Sequence, residues 1–220
     1  MTTSTASSPA PIAMKGVVKA DPKTAATKPD DVLIKEARSG NQLAFKCLVE
    51  RYETRVATTV TSMLGRNAEA EDVGQETFIR FYKALDSFRG DSSVSTYLNR
   101  IAINLSLNAL KRRKRFFARF QQTDEENMTA LQSTTLHAGT VQSSSPEVEN
   151  AEKGALIQKA ILQLKPAFRA VIVLRLVEGY STKETAEILD LPIGTVLSRL
   201  SRAQLKLRDK LRPYFSDENK

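Results

Sequence analysis

The chain has 220 residues, is 41% hydrophobic, and sets 33 lysines and arginines against 25 acidic residues for a net charge of +8. That length allows one or two ordinary domains, and the basic balance favours an anionic partner, nucleic acid ahead of an acidic membrane. One cysteine, Cys47, and one histidine, His137, exclude a disulfide framework and a four-ligand zinc site, and with no apolar run near the roughly eighteen residues of a membrane span and no secretory leader legible, a cytoplasmic protein is expected.

Residues 1–29 are rich in Ser, Thr, Ala, Pro and Lys without apolar periodicity, so a disordered tail is expected, with Met14 an alternative start to Met1. Helical spacing then recurs over residues 30–116. Phe45, Val49, Tyr52, Val56 and Met63 mark the buried stripe of one helix. Cys47, set among Leu43, Phe45, Leu48 and Val49, reads as a packing residue. Asn67 is placed to cap the next helix, whose first turn carries Glu69, Glu71 and Asp72 at the positive end of its dipole. That helix is expected to run to about Leu85. A loop rich in Gly, Asp and Ser, residues 89–95, then leads into a helix over 96–115. Leu98, Ile101, Ala102, Leu105 and Ala109 share one of its faces, and it ends in Lys111, Arg112, Arg113, Lys114 and Arg115.

Residues 117–149 read as a flexible linker, acidic through Asp124, Glu125, Glu126, Glu147 and Glu149 and broken by Ser143, Ser144, Ser145 and Pro146. Over 150–214 Ile157, Ile161, Leu164, Phe168, Val171 and Ile172 form helical stripes interrupted near Pro166, and residues 215–220 make a short tail. The expected fold class is all-α: two helical domains joined by a flexible acidic linker, the C-terminal one containing a helix-turn-helix.

That motif is the strongest local signal, GYSTKETAEILDLPIGTVLSRLSR over residues 179–202. Ser181 followed three residues later by Glu184 makes a capping box. Ala186 is small where two helices cross, and Asp190, Leu191 and Pro192 stop one helix and start the next. Val196, Leu200, Ala203 and Leu207 then point toward a core, while Thr195, Ser198, Arg199 and Arg202 line a polar, basic face suited to a major groove. Alone, the motif says only that the chain binds DNA.

GYSTKETAEILDLPIGTVLSRLSRAQLKL, residues 179–207, resembles the promoter-binding fourth region of sigma-70 family factors. Independently, AEAEDVGQETFIRFYKALDSFRGDSSVSTYLNRIAINLSLN, residues 68–108, is similar to the second region of their extracytoplasmic-function subfamily. The resemblance implies a factor that binds core RNA polymerase, recognises the minus-ten and minus-thirty-five promoter elements and promotes melting. It implies docking of Asp72, Gln75, Glu76 and Ile79 on the clamp helices of the largest polymerase subunit, with the flap of the second-largest subunit as a further contact. Arg100, Asn104, Asn108 and Lys111 would read the opened minus-ten strand, with Arg112 in the basic run contacting phosphate. The loop carrying Arg89, Ser92 and Ser93 would receive a flipped base. Tyr97, where many relatives have tryptophan, reads as packing. Gly74 replaces a larger residue inside its helix, at a cost of about 1 kcal/mol against alanine. The linker would thread polymerase channels, and an anti-sigma factor is an expected partner, able to hold the chain at the membrane without insertion. No cofactor, metal, catalytic residue or small-molecule substrate is expected. A helix-turn-helix regulator with an N-terminal helical sensor is the alternative. A nucleic-acid enzyme is disfavoured by the lack of paired carboxylates in a metal-ligand context, an activated cysteine or a phosphate-binding glycine loop.

Overall fold

The computed structural model describes residues 28–120 and 146–215, and every regular element among them is helical. The first half contains α1 (Asp30–Arg38), α2 (Gln42–Leu64), α3 (Ala68–Ala84), a 3-10 turn (Leu85–Ser87) and α4 (Val94–Phe120). The second contains α5 (Pro146–Leu162), α6 (Pro166–Ile172) continued by a π turn (Val173–Val177), α7 (Thr182–Leu189) and α8 (Ile193–Phe215). Residues 1–27 of the tail expected over 1–29, His137 and the centre of the linker, residues 121–145, lie outside the described residues, while Lys28 at the tail's end pairs with Glu36 of α1. At the expected linker's edges the helices run on: α4 continues to Phe120 and α5 already opens at Pro146.

The boundaries follow local chemistry. Asn41 Oδ1 accepts from the amides of Leu43 and Ala44 to start α2, and Asn67 Oδ1 accepts from Ala70 N at 3.0 Å to start α3. Between them Gly65, at φ +85°, turns the chain as few side-chain-bearing residues could. Ser93 Oγ accepts from Thr96 N at 3.1 Å and so opens α4 two residues before the expected start. Pro166 occupies the first turn of α6, where its missing N–H costs nothing.

In the first half α2, α3 and α4 pack on one another, with α1 against α2. Phe81, fully buried, sits between Phe45, Phe88 and Tyr97, with ring centroids 6.0–6.1 Å away. Tyr97 is thus a packing residue. The buried line of α2 runs through Ala44, Cys47, Leu48, Val56, Thr59, Val60 and Met63, so Phe45, Val49 and Tyr52 lie at its margin rather than its centre. In α4 Leu98, Ala102 and Ala109 are buried as expected and Ile101 and Leu105 half-buried, but Ile103, Asn99 and Ser106 are buried too.

The second half places Val171 against Ala186 and Val196, while Ile161, Leu164, Ile172, Val173, Leu174 and Ile188 belong to the same apolar cluster as the first-half core. Ile157 is the exception among the expected stripe, 39% exposed. The two halves therefore pack together. Part of the cause is the end of α2, where Thr61 O already accepts from the capping Gly65 amide at 2.8 Å but Met63 O lies beyond the last intrahelical donor. Gln158 Nε2 donates to Thr61 O at 3.0 Å, and the Arg169 guanidinium donates to Met63 O as well as to Leu162 O and Leu164 O. Burial, then the nearby Arg113 cation, pushes the Arg169 pKa down to about 10.

Candidate nucleic-acid and polymerase interfaces

The helix-turn-helix is built as its sequence indicates. Ser181 Oγ accepts from Glu184 N at 3.2 Å while the Glu184 carboxylate accepts from Ser181 N at 2.8 Å. These bonds hold the Glu184 carboxyl below the usual carboxylate range. Asp190 ends α7 in the left-handed region at φ 52°, and Leu191 N donates back to Ala186 O. Pro192 O accepts from the amides of Thr195 and Val196 to start α8. Along α8 Val196 and Ala203 are buried and Leu200 and Leu207 half-buried, whereas Ser198 and Arg202 are exposed and Thr195 and Arg199 half-buried. Ser198 Oγ donates to Thr195 O within its own turn, leaving the two guanidinium groups as the strongest donors of this face. Ile193, Leu197 and Leu205, each about half exposed, form an apolar stripe beside it that the polar reading of this helix did not include.

On α4 the residues read as minus-ten contacts share one exposed face. Asn104, Asn108 and Lys111 are exposed and make no side-chain hydrogen bond among the described residues. Arg100 is exposed but engaged, its Nη2 donating to Glu187 O of α7 at 2.7 Å. Arg112 pairs with Glu69 at 3.0 Å across a solvent-accessible gap, a contact of little energetic weight. In the preceding loop Arg89 is exposed and Ser92 half-buried. Ser93 carries a second duty as the cap of α4, so its hydroxyl is already spent on Thr96.

The third face lies on α3. Asp72, Gln75 and Ile79 are exposed and Glu76, one turn from Asp72, pairs with Arg80 at 2.8 Å. Ile79 leads into an apolar groove lined by Phe45, Phe78 and Tyr82, with Gln42 and Lys83 at its edge. Gly74 sits mid-helix with open space around the position of a Cβ.

Sequence reasoning missed the polar side chains where the halves meet. Glu178, its side chain 4% exposed, accepts from Arg55 Nε at 2.8 Å and from Thr59 Oγ1 at 2.9 Å. Burial is the strongest single influence on Arg55 and opposes its charge, but the Glu178 hydrogen bond together with attraction from Tyr180, Glu178 and Tyr52 outweighs it and raises the guanidinium pKa. Tyr180 Oη accepts from Asn99 Nδ2 at 2.7 Å and lies 2.8 Å from Ser95 Oγ. The available signal was polar residues, Thr59 and Asn99, at core-facing positions of apolar helices.

A helical bundle and a helix-turn-helix half in one chain define a helix-turn-helix DNA-binding protein. Sigma-70 region 2 matches residues 48–116 and sigma-70 region 4 matches residues 155–207. The chain is 34% identical over 190 residues to the ECF RNA polymerase sigma-E factor of Haemophilus influenzae, covering 84% of this chain and 97% of that protein. It is 36% identical to the factor of the same name from Escherichia coli K12, over 84% of this chain and 96% of the relative. It belongs to the sigma-70 family, in the extracytoplasmic-function group, and acts in promoter-directed initiation of transcription by RNA polymerase. Among solved structures, CnrH in complex with the cytosolic domain of CnrY aligns with a TM-score of 0.56 at 28% identity, over 84% of this chain and 97% of that one. The sigma factor RpoE in complex with the anti-sigma factor NepR from Bartonella quintana shares the fold, with a TM-score of 0.56 at 24% identity over 76% and 96% of the two chains. Among the described residues no helix is long and apolar enough to cross a membrane.

Proposed function

We propose that three faces divide the work of initiation. Thr195, Ser198, Arg199 and Arg202 of α8 read the minus-thirty-five duplex. Arg100, Asn104, Asn108 and Lys111 of α4, with Arg112 on phosphate and the loop of Arg89, Ser92 and Ser93, recognise and open the minus-ten element. Asp72, Gln75, Glu76 and Ile79 of α3 dock on the clamp helices of the largest polymerase subunit, and the second half meets the flap of the second-largest. The observation that carries this reading is that two basic, exposed faces with unspent donors lie on different halves of one chain, beside a polar face with an apolar centre. The division into a region-2 domain over 30–116 and a region-4 domain over 150–214 belongs to the same proposal. The factor works in the cytoplasm and supplies no catalytic chemistry, and an anti-sigma factor of the kind bound by its structural relatives is its regulator.

Purified core polymerase plus this chain should give specific transcription without another protein; failure would favour a regulator with a sensor half. Asn104→Ala and Asn108→Ala should spare closed binding and slow opening, each 1.4 kcal/mol lost giving about a tenfold slower step. Permanganate footprinting would separate the cases, since a premelted bubble should recover activity. Equal defects on duplex and bubble would assign both asparagines to folding or docking.

A further inference from the structure

Two large apolar side chains stand exposed at the start of α8. Ile193 and Leu197 are 50% and 51% exposed, and neither belongs to the apolar clusters that take in Val196, Leu200 and Ala203. They lie one turn apart on one flank of the exposed face, with Thr195 and Arg199 on the other flank. Between the flanks are Gly194, Ser198 and Ser201, all exposed. Gly194 has open space where a Cβ would be, so packing within the chain does not require glycine there. Another body can therefore come close to the helix between Leu197 and the arginines.

The surroundings of the pair identify that body. Arg199 and Arg202 share this end of α8, on a chain of net charge +8, and α8 is the second helix of a helix-turn-helix, whose first residues are the ones that meet base edges. At about 1.5 Å of rise per residue, Leu197 lies roughly 8 Å along the axis from Arg202, so both fit one major groove about 12 Å wide. Leu205 lies roughly 18 Å beyond Ile193 and falls outside that reach. The floor of a major groove offers hydrogen-bond donors and acceptors and one apolar group, the C5 methyl of thymine. Leucine can pack on that methyl. Against a guanine or cytosine edge it would strip water from donors and acceptors without replacing their hydrogen bonds.

We propose that Leu197, flanked by Ile193, is a specificity-determining residue that selects thymine in the minus-thirty-five element by packing on its methyl group. The inference rests on the duplex-reading role proposed above for α8. Its test uses the full chain bound to core RNA polymerase and a duplex selected by that holoenzyme from a random-sequence library. The selected duplex is resynthesised with deoxyuridine in place of each upstream thymine in turn, which removes one methyl group and keeps every hydrogen-bonding atom. At one or two positions the native holoenzyme should bind the uracil duplex about fourfold more weakly, the weight of one buried methyl. Leu197→Ala puts a strong helix former at an exposed position. It should bind the thymine duplex about fourfold more weakly and be indifferent to the same replacement. Leu205→Ala should keep the native sensitivity. A purely structural role for Leu197 would weaken binding to both duplexes alike and leave the ratio between them unchanged. That result, the absence of any uracil effect, or an upstream element with no fixed thymine would overturn the inference. Selection that ignores Arg199→Ala combined with Arg202→Ala would defeat the reading of α8 itself, whereas selection that needs the arginines but not the methyl defeats only the choice of thymine.

Discussion

The two halves hold themselves together by different means. Among the described residues every close aromatic pair lies in the first half, and three of them share Phe81, whose ring touches partners from α2, α4 and the loop between α3 and α4. The second half has no close aromatic pair among the described residues, and it leans on the first through Arg169, a guanidinium buried among carbonyl groups. A large ring can bring several helices to one point through area alone. The smaller side chains of the second half leave a polar cross-tie to complete the packing. The first half should therefore tolerate separation better than the second.

The largest test of that contrast is Phe81→Ala. Truncating a fully buried phenylalanine should cost about 3–5 kcal/mol, and the loss should appear as earlier unfolding of the first half in urea. Arg169→Ala comes next. It leaves the carbonyls of Met63, Leu162 and Leu164 short of a donor in a buried setting, worth about 2–3 kcal/mol in all. Hydrogen exchange should quicken in the second half while amides packed around Phe81 stay protected. Uniform acceleration across both halves would mean that they fold as one unit and that the contrast is wrong.

Much of this was legible in sequence because the signals were local. The Asn67 cap, the Ser181 and Glu184 capping box and the alternation of faces on α8 each depend on residues within one or two turns. The exposed face of α4 was legible for the same reason, since Arg100, Asn104 and Asn108 share a side opposite Leu98 and Ala102. What escaped depends on partners far along the chain. Arg169 binds a carbonyl at Met63, and Glu178 meets Arg55 and Thr59, contacts that no periodicity encodes. The engagement of Arg100 by Glu187 O escaped likewise, because two domains on a flexible linker gave no reason to expect α7 beside α4.

The proposed role of α8 offers a test outside stability. Arg199→Ala and Arg202→Ala should each weaken duplex binding to the minus-thirty-five element by about 1–3 kcal/mol where the guanidinium reaches a base. Thermal unfolding should hardly change, because neither side chain belongs to the core. Weakening that is uniform across sequences, with a shallower salt dependence, would assign the two arginines to phosphate instead. No loss in either variant would remove this face from recognition.

The smallest effect should distinguish the halves by pH. Ser181→Ala removes the cap of α7 and should cost about 1 kcal/mol, felt by the second half because α7 packs on α8 and the π turn as well as on α4. The other arm of the cap is the Glu184 carboxylate, whose pKa is depressed chiefly by its hydrogen bonds with Ser181. A depressed acid stabilises the fold fully above its unfolded pKa, near 4.3 for glutamate, and that contribution fades as pH falls through the lower folded value. Glu184→Gln keeps a hydrogen-bonding group at this position and removes the titration. Between about pH 6 and pH 3 the urea midpoint of the second half should therefore fall further for the native chain than for the variant, by a modest margin because the group is exposed to solvent. The first half, which lacks this carboxylate, should show no difference between the two proteins. Equal acid sensitivity of the second half in both would show that the cap works without its charge.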